Sequence, residues 1–180
     1  MMVLISHLYF RLMGWKVEGM MLAEVKRCVM IAAPHTSNHD FLFTRAACYM
    51  MNIKVRYLIK KSWMVFPLCR FFHATGAVPV ERNQATGLVD RLIRLFYERD
   101  ELVLLLSPEG TRKAVEKWKS GFYHAALGAN VPIVLGYLDY KKKVAGIGPV
   151  IHPSGDFEHD MKRIQDFYRN ITAKHPAAYV

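Results

Sequence analysis

The stretch CVMIAAPHTSNHDF, residues 28–41, decides how this chain is read. Cys28 to Ala33 is apolar and reads as a buried strand. Pro34 to Asp40 then brings two histidines, three small polar residues and an aspartate. Phe41 to Met51 is largely apolar and compatible with a helix. A strand that empties into so many proton-handling groups before a helix has three readings. They are a metal site, a catalytic base, or a turn decorated with polar residues.

The same strand–loop–helix rhythm extends outward in both directions. Short apolar or alternating runs at 54–59, 77–80, 102–106 and 131–138 read as strands, and "LVLLL" at 102–106 as a fully buried one. Leu88, Leu92, Leu95 and Phe96 share one face of a helix over 85–99, with Arg91, Arg94 and Arg99 largely off it. A last helix is expected from Ser154 or Asp156 as N-cap, burying Phe157, Met161, Ile164, Phe167 or Tyr168, and Ile171. Strands alternating with helices predict an α/β fold with a central, mostly parallel mixed sheet flanked by helices. With no repeat, linker or low-complexity tract, residues 1–180 are expected to form a single domain. Its parts would be an N-terminal amphipathic helix within 1–19, a core over 27–150 and a C-terminal helix over 154–173.

Composition narrows the function classes. Apolar residues are 52% of the chain, which excludes a disordered polypeptide. Lys and Arg outnumber Asp and Glu by 25 to 15. That excess predicts an anionic partner: a lipid surface, a phosphorylated substrate, an acidic carrier protein or nucleic acid. Aromatic residues lie in apolar runs instead of alternating with basic ones, which counts against nucleic acid. Three scattered cysteines, Cys28, Cys48 and Cys69, form no CxxC pair and suit buried thiols in a reducing, cytoplasmic compartment. No run approaches the roughly 20 apolar residues of a transmembrane span, and "MMVLISHLYFRLMGW" lacks the basic leader of a signal peptide. The expectation is a protein that is soluble or peripheral on a membrane face.

Within the first loop, His35 and Asp40 are five residues apart. If His35 lies in the turn and Asp40 in the first helical turn, the carboxylate can fold back on the ring. It would fix the tautomer and leave the other ring nitrogen free to take a proton. The competing reading of Asp40 is an acid favoured by the helix dipole. His39 and His35 have the i, i+4 spacing of a metal pair, but no third ligand is suggested, so no metal is expected. Ser37 lacks the glycine-flanked elbow of serine nucleophiles. A second polar loop, "SPEGTRK" at 107–113, follows the most buried strand. Gly110 permits close backbone approach, Arg112 offers a fork suited to phosphate oxygens, and Glu109 can accept from a hydroxyl.

"PHTSNHD", with "PEGTR" following so that Glu109 lies 74 residues after His35, resembles the glycerolipid acyltransferase family. "GAVPVER" at 76–82, "WKSGFYHAA" at 118–126 and "VPIVL" at 131–135 are similar to further blocks of that family, in the same order. The resemblance covers roughly residues 27 to 150. It implies an O-acyltransferase that moves a fatty acyl group from a thioester donor to a hydroxyl. The acceptor would be a lyso-phospholipid or glycerol phosphate, 1-acylglycerol-3-phosphate by default, with a lyso-aminolipid such as lyso-ornithine lipid as the alternative. In the HX4D motif His35 would be the general base and Asp40 its orienter. Arg82 and Arg112 would hold the acceptor phosphate, and Glu109, Gly110 and Thr111 would shape its polar pocket. Lys61 is a further candidate for the same anion, its other reading being a solvated lysine at a strand end.

No cofactor is implied; acyl-coenzyme A or acyl carrier protein enters as donor substrate. The implied partners are that donor, a lyso-lipid acceptor and an anionic membrane surface at the cytoplasmic side, without nucleic acid. "WMVFPLCRFF" at 63–72 and the N-terminal helix are candidates for acyl-chain lining or membrane contact, with core packing as the alternative. Two rival functions remain open: a non-catalytic lipid- or phosphate-binding module, and a thioesterase-like hydrolase.

Overall fold

The structure is a computed structural model that describes residues 1–81 and 87–178. Its elements in chain order begin with α1 (Met2–Met13), β1 (Lys16–Glu18), β2 (Arg27–Ala33), α2 (Asn38–Met50) and β3 (Val55–Lys60). Next come α3 (Leu68–Ala74), β4 (Ala77–Val80), α4 (Leu88–Tyr97), β5 (Leu102–Leu106) and α5 (Gly121–Gly128). The chain ends with β6 (Ile133–Asp139), β7 (Val144–Ile151) and α6 (Phe157–Tyr168). The described strands form one seven-stranded sheet in the order β1-β7-β6-β2-β5-β3-β4. β6, β2, β5, β3 and β4 are parallel; β7 pairs antiparallel with β6, and β1 is parallel to β7. This is the single α/β domain with a mostly parallel mixed sheet that the alternation of elements implies.

Strand periodicity explains why helices cover both faces. Val29, Ile31 and Ala33 of β2, Leu102 and Leu104 of β5, and Ile133 and Leu135 of β6 point into one core layer, closed by α4, α5 and α6. The residues between them, Cys28, Met30, Val103, Leu105 and Val134, point to the other face, where Cys48 of α2 and Phe72 of α3 meet them. Farther along that face, Phe43, Ala46 and Ala47 of α2 pack on Leu138 and Ala145, and Phe10 of α1 and Trp15 close the layer. The α2 and α5 connections thus leave the neighbouring strands β2 and β5 on opposite sides of the sheet. Such a divergence opens a crevice at the carboxyl ends of the strands.

Several boundaries differ from the sequence expectation. α2 begins at Asn38, three residues before Phe41, because Ser37 caps it. Helix α4 spans Leu88–Tyr97, inside the expected 85–99, whose residues 85 and 86 lie outside the described chain. The last helix takes Asp156 as N-cap, its Oδ1 accepting the His159 N–H at 3.0 Å, and ends at Tyr168 before residue 173. Gly14, at φ 68°, terminates α1. β1 is only three residues long, too short for a periodic signal.

The apolar stripe of α1 faces outward and does not pack into the core. The helix docks through Phe10 and Tyr9, while Leu4, Leu8 and Leu12 are 74%, 59% and 76% exposed. Core packing likewise fails for Trp63, Val65, Phe66, Leu68 and Phe71, all exposed, although Met64 and Phe72 do pack inward. All three cysteines are free thiols. Burial pushes the Cys28 thiol up to about 12 and the Cys48 thiol up to about 11, which keeps both protonated and unreactive.

Candidate active site

β2 and β5 lie side by side, with Ile31 paired to Leu106, so the loops that follow them face each other. The first loop is shaped by the start of α2. Ser37 Oγ accepts the His39 N–H at 3.2 Å, and Asp40 Oδ2 accepts the Ser37 N–H at 2.8 Å, a reciprocal cap. Asp40 Oδ2 also accepts the Thr36 N–H at 2.8 Å and meets His35 Nδ1 at 3.1 Å. The two readings of Asp40 therefore coexist: the acid that completes the helix cap is the acid that touches the imidazole. With Nδ1 on Asp40, Nε2 of His35 is the nitrogen left for a ligand. Burial alone would raise the Asp40 pKa; hydrogen bonds from His35, Tyr140 and the Ser37 N–H outweigh it and lower the carboxyl below its ordinary range. Asp40 is thus the ionised partner a protonated imidazole needs.

The second loop grips the first. Glu109 Oε1 accepts the His35 N–H at 3.0 Å, and Ser107 Oγ donates to Glu109 Oε2 at 2.5 Å. Glu109 is buried, and burial raises its pKa against these two hydrogen bonds. Its oxygens are committed to the protein, and it ties loop to loop without lining the crevice. Arg112 Nη1 donates to Asn38 Oδ1 at the start of α2. Gly110 has φ +66°, and a Cβ there would come within 2.8 Å of Lys119 Cε. The close approach this glycine permits is thus made by the Lys119 side chain. Lys119 is held by its own N–H, which donates to Pro108 O at 2.9 Å.

The other sequence-derived residues lie elsewhere or in looser positions. Thr111 is exposed and accepts the Lys113 N–H at 3.3 Å. Lys61 is spent on an exposed ion pair with Glu81 at 2.7 Å and does not line the crevice. Arg82 lies outside the described residues. His39 is exposed and contacts Lys174 of the C-terminal segment, whose His175 N–H donates to Thr36 Oγ1 at 3.2 Å. Two residues had no marked role in the sequence. One is Lys119, inside a recognised block but with no chemistry assigned. The other is Tyr140, whose O–H donates to Asp40 Oδ1 at 2.6 Å. Nothing local in the sequence marks Tyr140, because its partner lies 100 residues away.

His35, Asp40, Gly110, Thr111, Arg112 and Lys119 line one open crevice of about 950 Å³. Its remaining walls are largely apolar and include Phe41, Tyr57, Leu58, Trp63, Val89 and Trp118. Trp63 belongs to the exposed apolar segment after β3, so the crevice opens beside that segment. A basic loop, a ring nitrogen backed by a carboxylate and an apolar wall therefore converge. The arrangement can hold an anionic head, take a proton from a hydroxyl and accommodate an alkyl chain.

A family model described as Acyltransferase matches residues 14–135 of the chain. The chain is 29% identical over 135 residues to a 1-acyl-sn-glycerol-3-phosphate acyltransferase of Haemophilus influenzae, covering 69% of this chain and 54% of that protein. The protein of the same name from Escherichia coli is 27% identical over 141 residues, covering 72% of this chain and 56% of that protein. The chain thus spans about half the length of the curated relatives it matches. Among solved structures, it is similar to the 1-acyl-sn-glycerophosphate (LPA) acyltransferase PlsC from Thermotoga maritima, with TM-score 0.64 and 15% identity. That match covers 96% of this chain and 80% of the other, and at this identity it shows the fold alone.

Proposed function

This chain belongs to the acyltransferase family, and from that membership we propose that it transfers a fatty acyl group from a thioester donor to the hydroxyl of 1-acylglycerol-3-phosphate. The observation that carries the reading is the His35–Asp40 contact at 3.1 Å, set in the same crevice as Arg112. His35 Nε2 takes the proton of the acceptor hydroxyl as its oxygen attacks the thioester carbonyl. The tetrahedral centre collapses, the C–S bond breaks, and the imidazolium returns the proton to the departing thiolate. General-base action of this kind contributes about 10²–10⁴-fold. Arg112 and Lys119 hold the acceptor phosphate, and the apolar wall takes an acyl chain.

The same reading places the protein on an anionic lipid surface at the cytoplasmic side, where coenzyme A or carrier-protein thioesters meet the acceptor. Supporting it are the exposed apolar faces of α1 and of 63–71, the excess of basic residues, and the crevice opening beside Trp63. No helix among the described residues is long and apolar enough to cross a membrane.

The test uses purified protein, a labelled acyl thioester and a panel of lyso-lipids. His35→Ala is expected to lose about 100-fold or more of kcat. Transfer that survives both His35→Ala and Asp40→Asn rejects the base assignment. Arg112→Ala should raise KM chiefly for phosphate-bearing acceptors; an equal rise with a phosphate-free acceptor rejects its role. Thioester cleavage to free acid at the same rate without any acceptor would favour a hydrolase instead.

A further inference from the structure

Tyr140 sits in the turn between β6 and β7, beyond residue 135 where the family match ends. We propose that Tyr140 is a positioning residue for acyl transfer: its hydroxyl locks the Asp40 carboxylate in the orientation that aims His35, and couples that pair to the β6–β7 turn. The inference rests on the His35–Asp40 reading above.

The hydrogen bonds around Asp40 are distributed unevenly. Oδ2 carries three contacts, from His35 Nδ1 and the N–H groups of Thr36 and Ser37. Oδ1 carries the Tyr140 hydroxyl at 2.6 Å. Asp40 is only 3% exposed, so bulk water does not substitute for that donor. Without it the carboxylate is pinned at one oxygen and can pivot about that point, swinging the contact that orients the ring.

Tyr140 is itself held on three sides. Its backbone N–H donates to Thr172 O at 2.9 Å. Its ring stands edge-on to Trp15 at 4.9 Å and to Phe43 of α2 at 6.0 Å. Phe43 lies one turn along the same helix that carries Asp40, so ring and hydroxyl grip a single element. Burial, and the neighbouring Asp40 and Tyr9, raise the Tyr140 pKa, so the phenol remains a donor wherever the enzyme works.

The hydroxyl also acts on charge. A donor on Oδ1 draws electron density from the carboxylate and weakens its pull on the imidazolium. Removing the donor makes Asp40 a stronger base and stabilises the protonated ring. The titratable groups around His35 are Asp40 from α2, Glu109 from the loop after β5 and, through Asp40, Tyr140; Arg112 and Lys119 line the same crevice. Tyr9 of α1 is the further titratable neighbour of Tyr140. Only the Tyr140 contact is altered by replacing tyrosine with phenylalanine, which keeps the ring.

Wild type and Tyr140→Phe are compared by acyl transfer against pH, and by NMR titration of the His35 ring without substrate. Tyr140→Phe is expected to lower kcat about 10-fold with KM within about twofold. The acid limb of kcat and the His35 titration midpoint should move together to higher pH. An unmoved His35 titration with unchanged kcat overturns the inference, even if the variant is less heat-stable, as does a change in KM alone. The two readings fail separately. Acyl transfer that survives His35→Ala defeats the general base, while a shifted His35 midpoint in Tyr140→Phe upholds the coupling in the folded protein.

Discussion

Glu109 is the residue on which the two site loops depend. Its side chain joins the His35 backbone to the Ser107 hydroxyl, so it sets the distance between His35 and the Arg112 loop. Burial raises its folded pKa above the unfolded value. For an acid shifted upward, the ionised form is disfavoured by folding, and the resulting destabilisation operates above the unfolded pKa. It is full above the raised value, shrinks as pH falls through it, and is gone below the unfolded pKa, where the carboxyl is protonated in both states. Glu109→Gln keeps an oxygen for the His35 N–H and removes the charge. Its thermal midpoint at neutral pH should equal or exceed that of wild type, with the difference closing in acid. Glu109→Ala leaves the His35 N–H and the Ser107 hydroxyl without their acceptor, and should cost about 1–3 kcal/mol and most of the activity. Chemical denaturation across pH checks both variants; a Gln variant as unstable as the Ala variant would show that the charge itself is needed.

At the scale of elements, the start of α6 repeats the logic of α2 on the opposite face. Asp160 is fully buried and its Oδ2 accepts the Tyr123 hydroxyl at 2.9 Å, the Ser154 N–H at 2.7 Å and the Ser154 hydroxyl at 2.9 Å. Burial would raise its pKa; the Ser154 and Tyr123 hydrogen bonds and Arg163 bring it below the ordinary value. A depressed carboxyl contributes stability that is complete above the unfolded pKa and lost as pH falls through the folded one. Asp160→Asn should therefore be less stable than wild type at pH 7, and the gap should narrow steadily below the ordinary carboxylate range. A gap independent of pH would show that geometry, not ionisation, carries the effect.

The elements also show what the sequence discloses. β5 is legible because five apolar residues in a row, Leu102–Leu106, have little alternative to a buried strand. The start of α2 is misplaced when apolar periodicity alone is followed, because its first turn is polar and the capping serine fixes the boundary. α1 is legible as a helix with an apolar stripe, but a period of 3.6 does not say which side the rest of the molecule will occupy. The meeting of His35 with the Glu109 loop follows from two strands that a motif places in order. Tyr140 follows from no spacing at all, because a single side chain reaching across the fold leaves no periodic trace.

At the scale of the whole molecule, two exposed apolar surfaces flank α2 on one side of the sheet: the outer stripe of α1 and the segment carrying Trp63, Phe66 and Phe71. Exposed apolar area of this extent on a basic protein fits an anionic bilayer, where each buried leucine is worth about 1.5–3 kcal/mol. Leu8→Glu with Leu12→Glu should lower partitioning onto phosphatidylglycerol vesicles by about 10-fold or more, while the thermal midpoint moves little because neither residue is in the core. Phe66→Glu should act in the same direction. Cosedimentation reads the effect, and binding equal to wild type in both variants would remove the bilayer from the account.

The sheet order has a further consequence for how the protein comes into being. β2, at the heart of the molecule, finds its two partners in β5 and β6, both made long after it leaves the ribosome. β1 must wait still longer, for β7. A nascent chain cannot complete this sheet in instalments from its leading end. Folding is therefore deferred until most of the polypeptide has emerged, with slow, non-local closure as its signature.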